Sequence, residues 1–222
     1  MAVRTTVSFF GAATIAAGFG VFHFGGSTDA VTFAEAFLVS PAAAATSEEM
    51  LEAGPLGEKT LGDPNAPNIV IEYASMTCPH CQTFHEQTFE AFKEKYIDTG
   101  EVYFIFRHFP LNPLDTAAVM LTNCAPEERF FPLVDLMFEQ QPKWAFVDQP
   151  AEALLNLVKQ AGFTQESFTA CLQNQEVLDG VDWVRSRAAG DFAVRSTPTF
   201  FVNGDMQTGS MSLEEFDELL AE

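Results

Sequence analysis

Positive charge is scarce in this sequence. Its 222 residues carry 11 Lys and Arg against 31 Asp and Glu, a formal charge of −20. Nucleic acid and anionic lipid both require a basic footprint, so neither is an expected partner. The acidity reads as a soluble surface, with Glu48, Glu49 and Glu52, then Glu214, Glu215, Asp217 and Glu218, on solvated helical faces. Internal repeats and low-complexity tracts are lacking too. Hydrophobic residues make up 47% and charged residues 19%, a globular composition with enough chain for one domain plus an insertion. Cysteine is sparse: Cys78, Cys81, Cys124 and Cys171, with a single Cys-x-x-Cys among them. Zinc would need four ligands; Cys124 and Cys171 do not make a second Cys-x-x-Cys, and a metal held by the first pair with His80 and His85 would have to compete with oxidation. Phe, in contrast, is abundant at 23 residues, which predicts an aromatic-rich core or groove.

Acids are also missing from the apolar run Val7 to Phe24, which follows Arg4. A basic start, an apolar run and the small residues Ala42 to Ala45 describe an export segment. The run is also about the ~18 residues that can cross a bilayer, so residues 1–45 read as a signal peptide or an uncleaved anchor. Either way the folded part is expected outside the cytoplasm, in a bacterium the periplasm, where disulfides persist. Residues 46–57 read as a flexible approach, broken by Gly54-Pro55 and Gly57.

Asn68 to Ala74 is a short β-rich run suited to a strand covered on both faces. From Cys78 the period changes, with Phe84, Phe89, Phe92 and Tyr96 forming one helical face that ends at Gly100. Glu101 to Phe109 reads as the next strand. No convincing strand follows until Pro198 to Asn203, and Ser212 with Glu215 has the spacing of a capping box for a last helix. The expected order is strand, helix, strand, helical block, strand pair, helix.

A Cys-x-x-Cys between a strand and a helix has a chemical consequence. Cys78 sits at the helix N-terminus, where free N–H groups and the macrodipole favour an anion, so it is the candidate thiolate. Cys81, one turn deeper, can close or resolve a disulfide. Pro79 fits the first turn, where its missing N–H loses no bond, and His80 adds a neighbour that can be positive. A purely structural Cys78–Cys81 disulfide would close too short a ring to add much stability. The other two cysteines, Cys124 and Cys171, would staple the helical block if paired; two buried free thiols are the alternative.

Cys78-Pro79-His80-Cys81 after Ile69-Val70-Ile71-Glu72-Tyr73, with Ser196-Thr197-Pro198-Thr199-Phe200 far downstream, resembles the DsbA family of bacterial disulfide oxidoreductases. The resemblance runs from about Leu61 to Leu220. It implies an α/β, thioredoxin-like fold with an inserted helical domain: residues 58–114 and 193–222 as the two parts of the thioredoxin-like domain, and 115–192 as the insertion. It implies that Thr197-Pro198 forms a cis-prolyl loop facing the cysteines, where backbone groups pair with a bound peptide; an ordinary trans turn proline is the alternative. Glu72, six residues before Cys78, matches a buried acid of the family that exchanges a proton with Cys81; the alternative is a strand-end carboxylate that is solvated or paired with a base such as Arg107. Some alphaproteobacterial relatives are similar in having a second, non-catalytic disulfide, as Cys124 and Cys171 would form.

The implied activity is donation of disulfides to reduced or misfolded exported proteins, with regeneration by a DsbB-like membrane partner, no cofactor, no metal and a monomeric state. A reductase or isomerase on the same scaffold, or a non-redox peptide-binding module, are the rival readings.

Overall fold

The computed structural model describes residues 48–221, so the expected export segment, residues 1–45, lies outside the described residues. Among the described residues no helix is long and apolar enough to cross a membrane.

Five strands form one sheet in the order β1-β3-β2-β4-β5, where β1 is Lys59–Leu61, β2 Asn68–Ala74, β3 Val102–His108, β4 Thr199–Val202 and β5 Asp205–Thr208. β2 and β3 run parallel, and every other neighbouring pair is antiparallel. A parallel pair needs a crossover, and helix α1 supplies it. α1 runs over residues 79–97 as α-helical turns at Pro79–Phe84 and Glu90–Phe92, alternating with wider turns at His85–Phe89 and Lys93–Ile97. The insertion follows β3 as α2 (Pro113–Cys124), α3 (Phe130–Glu139), α4 (Gln141–Trp144), α5 (Pro150–Gln160), α6 (Gln165–Leu172) and α7 (Gln175–Gly190); α8 (Leu213–Leu220) closes the chain. Ser212 and Glu215 cap α8 reciprocally, as their spacing predicts.

Alternation along the strands divides the core between the two faces of the sheet. Val70, Phe104, Phe106, Phe200 and Val202 face α1, α8 and the insertion, and join Phe84, Phe92 and Phe216 in an aromatic core. Ile69, Ile71, Tyr73, Ile105 and Phe201 face the other way, onto Val184, Ala188 and Ala189 of α7 and onto Met50 and Leu51. The abundance of Phe is thus spent mainly on one face.

The short strand β1 went unforeseen, because three residues beside Gly62 show no period. The approach segment, read from its breakers as flexible, lies against the body over its described part. Arg107 donates to the Met50 carbonyl (2.8 Å), the Tyr73 hydroxyl (2.8 Å) and Glu58 (2.9 Å), while Arg187 bonds Glu52 (2.7 Å) and the Glu49 carbonyl (2.8 Å). A Cβ on Gly180 would come within 2.5 Å of Leu56, so glycine there is what lets the segment approach α7. A buried guanidinium needs acceptors, and this segment provides them.

Candidate active site

β2 ends at Ala74, and Ser75, Met76 and Thr77 carry the chain to the start of α1. Cys78 is the N-cap, in extended conformation, and Pro79 occupies the first turn. The Cys78 carbonyl accepts the Gln82 N–H at 3.1 Å, which starts the helix. Cys81 is then one turn inside, with no exposure, and the Ser75 N–H approaches its sulfur at 3.5 Å. Both cysteines are present as free thiols.

Thr197-Pro198 is a cis peptide. It brings the Thr197 carbonyl to the Cys78 thiol, which donates to it at 3.2 Å. If the thiol loses its proton, that carbonyl no longer has a donor facing it. The Thr197 hydroxyl, buried and without a hydrogen-bond partner, can then turn to the sulfur.

The two thiols are driven apart in acidity. Cys78 is lowered to about 5, chiefly by the Cys81 thiol donating to it, with burial opposing and with Thr197 and the backbone N–H groups of Cys81 and His80 adding to the effect. Cys81 is pushed well above the ordinary thiol range by burial first, then by its bond to Cys78 and by the charge of Glu72. The imidazole of His80 stands exposed beside the pair, and His80 contributes to the thiolate through its backbone.

Glu72 has no exposure and points into the aromatic face, between Phe106 and Phe200 in the strand register. Arg107, the base named for the alternative reading of Glu72, lies on the next strand beside His108. Neither serves, because strand alternation turns Arg107 to the opposite face, onto Glu58, while His108 bonds Thr122 at 3.0 Å. The partner is His85 of α1, whose Nε2 lies 3.0 and 3.2 Å from the two carboxylate oxygens. A carboxylate only accepts, so Nε2 carries the proton; Nδ1 is buried without a partner. The His85 ring stacks on Phe138 at 4.3 Å and lines, with Phe89, Phe138 and Asp135, an open cleft of about 370 Å³. The sequence did hold a clue, since His85 lies one helical turn beyond Cys81 and so over the same strand.

Two residues of the insertion, Asp115 and Gln141, also reach the loop before Cys78, as does Asn112, the N-cap of α2. Nothing in their local sequence marks them. Cys124 and Cys171 form a disulfide, Cα atoms 6.0 Å apart, joining the end of α2 to α6. Among the described residues no group of three or more His, Cys, Asp or Glu could hold a metal ion.

A family model described as thioredoxin matches residues 56–222. A Rickettsia typhi protein whose name proposes a protein-disulfide oxidoreductase is 32% identical over 158 residues, covering 71% of this chain and 58% of that protein. The chain thus spans little more than half the length of that relative. The crystal structure of Wolbachia pipientis alpha-DsbA1 superposes with a TM-score of 0.68 at 32% identity, covering 74% of this chain and 89% of the other. Oxidised BdbD from Bacillus subtilis shares the fold, with a TM-score of 0.65 at 22% identity over 74% of this chain and 91% of the other.

Proposed function

The chain belongs to the DsbA family of thioredoxin-fold protein-disulfide oxidoreductases, and from that premise we propose that it donates disulfides to exported proteins in the periplasm. A substrate thiolate attacks the Cys78 sulfur of the Cys78–Cys81 disulfide; the S–S bond breaks, the mixed disulfide forms on Cys78, and Cys81 leaves and takes up a proton. A second substrate thiolate then attacks the substrate sulfur of the mixed disulfide. Cys78 leaves as a thiolate, the substrate is oxidised and the enzyme is reduced. A quinone-linked membrane oxidant of the DsbB type would accept the two electrons and restore the disulfide.

The observation that carries this reading is the placement of the two thiols, Cys78 at the cap of α1 against Thr197 and Cys81 buried one turn within, which lowers Cys78 to about 5 and raises Cys81. A thiolate stabilised in the reduced form leaves readily and makes the couple more oxidising. Thr197 and Pro198 would pair with the backbone of the bound substrate. Glu72 would exchange the proton of Cys81, held in place by the His85 Nε2–H bonded to its carboxylate.

Equilibration of the protein with glutathione tests the direction of the reaction. An oxidising couple, together with oxidative refolding of reduced ribonuclease, supports the donor. A potential as low as a thioredoxin's overturns it in favour of a reductase on the same scaffold.

A further inference from the structure

We propose that the helical insertion sets the geometry of the redox loop through two positioning residues, Asp115 and Gln141, which hold the Ser75–Cys78 backbone so that the Cys78 sulfur meets the N–H groups opening α1. The proposal rests on the reading of Cys78 as the reactive thiolate and adds what keeps it in place.

Asp115 lies in the first turn of α2 with no exposure. Its Oδ1 accepts the Met76 N–H at 2.8 Å; its Oδ2 accepts the Ser75 hydroxyl at 2.5 Å and the Leu111 N–H at 2.8 Å. Gln141, also without exposure, opens α4 and donates through Nε2 to the Met76 carbonyl at 2.9 Å and the Cys78 carbonyl at 3.1 Å. The backbone of Met76 is therefore gripped at both ends, its N–H by one helix and its carbonyl by another. Asn112 adds a bond from Nδ2 to the Thr77 hydroxyl at 2.8 Å. Each residue from Ser75 to Cys78 is thus bonded to the insertion or to Asn112 at the cap of its first helix.

Two features separate this arrangement from ordinary packing. The Gln141 amide is turned with both N–H groups toward carbonyls, and its Oε1 is buried with no partner. An orphaned buried acceptor carries a free-energy cost that an apolar side chain of the same size would avoid, so the two donated bonds are what that position supplies. Asp115 is likewise a buried carboxyl, raised to about 6 by burial against the opposing pull of the donors from Ser75, Leu111 and Met76. Both costs fall on groups that touch the loop. The same loop also feeds Cys81, because the Ser75 N–H approaches its sulfur while the Ser75 side chain is held by Asp115.

The test titrates the Cys78 thiolate by its ultraviolet absorbance and measures the glutathione equilibrium in Gln141→Met and Asp115→Asn, beside the unsubstituted protein. Gln141→Met removes both donors at similar size without changing charge. Its Cys78 midpoint is expected to rise by about one unit, with the glutathione equilibrium moving about tenfold toward the oxidised enzyme. Asp115→Asn discriminates further. Asp115, raised to about 6, carries little charge near pH 5 where Cys78 titrates, so its replacement reports the lost grip on Met76 and Ser75, which raises the midpoint. A rise is expected.

Phe168→Ala serves as the control, in α6 beside the Cys124–Cys171 end of the insertion. That end lies roughly 13 Å along α2 from Asp115, at about 1.5 Å per residue. This variant should lower the melting temperature and leave the thiolate midpoint in place. The proposal is overturned if the Gln141→Met midpoint stays within a few tenths of the unsubstituted value, or if Phe168→Ala moves it equally. An ordinary thiol midpoint in the unsubstituted protein would count against the donor reading alone, since the grip is judged on differences between proteins.

Discussion

The two cysteine pairs of this chain have the same chemistry and opposite surroundings. Cys78 and Cys81 flank the start of a helix, one at its cap and one a turn within, so backbone donors and burial act on them unequally and split their acidities. Cys124 and Cys171 stand 47 residues apart, bridge two helices of the insertion and are joined. The first pair closes a ring too short to constrain much chain, while the second closes a long loop and constrains the unfolded state. Reactivity therefore comes from where a sulfur sits relative to N–H groups, and stabilisation from how much chain a bridge encloses.

The largest expected effect falls on the first pair alone. Cys78→Ser should abolish thiol–disulfide exchange, read as oxidative refolding of ribonuclease, with the fold intact by circular dichroism. Residual turnover would move the attacked sulfur elsewhere and break the contrast. Next comes the pH dependence of stability, compared between the reduced and oxidised protein. The folded Cys78 value is depressed from 9.0 to about 5. Its contribution is therefore complete above the unfolded thiol value and lost as pH falls through about 5. Cys81, which is raised, costs the reduced form stability only above pH 9. The disulfide form has no such titration. The stability advantage of the reduced protein should shrink steadily from pH 9 to pH 5 in urea unfolding, and a constant difference would remove the thiolate from the account. Third, Cys124→Ala with Cys171→Ala should lower stability by roughly 4 kcal/mol under the loop-entropy account, or roughly 10 °C in melting temperature for a domain of this size. Exchange at Cys78 should survive.

The first pair was legible in the sequence because its chemistry is local: a strand, four residues and the start of a helix. The pairing of the second was legible only by elimination and by resemblance, since two cysteines separated by 47 residues carry no sign of meeting. The strand that carries Glu72 was equally plain, because Asn68 to Ala74 is a near-continuous apolar run and its single acid stands out. Its partner was not. Arg107 looked suitable by charge and proximity, but strand alternation turned it to the opposite face, onto Glu58 and the Met50 carbonyl. Asp115 and Gln141 were invisible for a related reason. Each is an ordinary polar residue at a helix start until tertiary contact sets it against the redox loop. The contacts of the approach segment were missed likewise, since Gly54-Pro55 and Gly57 describe local freedom and say nothing of two arginines waiting on the body.

The smallest expected effect concerns Glu72, and it separates the two sulfurs of the first pair from each other. Re-oxidation requires Cys81 to lose its proton in a site that burial makes unfavourable for an anion. A carboxylate beneath it acts in two opposing ways: it can take that proton as a base, and its charge disfavours the thiolate left behind. Glu72→Gln removes both. A positioned base is worth on the order of 10²-fold, and relief of the repulsion offsets part of that, so re-oxidation at pH 6 should slow by about tenfold. As pH rises toward 9, hydroxide takes over as the base while the relief remains, and the two proteins should converge. Stopped-flow re-oxidation by a small disulfide measures both limits, while Cys78 attack on the same reagent should change little. Equal slowing at pH 6 and pH 9 would assign Glu72 a purely structural place against His85, and the proton of Cys81 would then have to leave by another route.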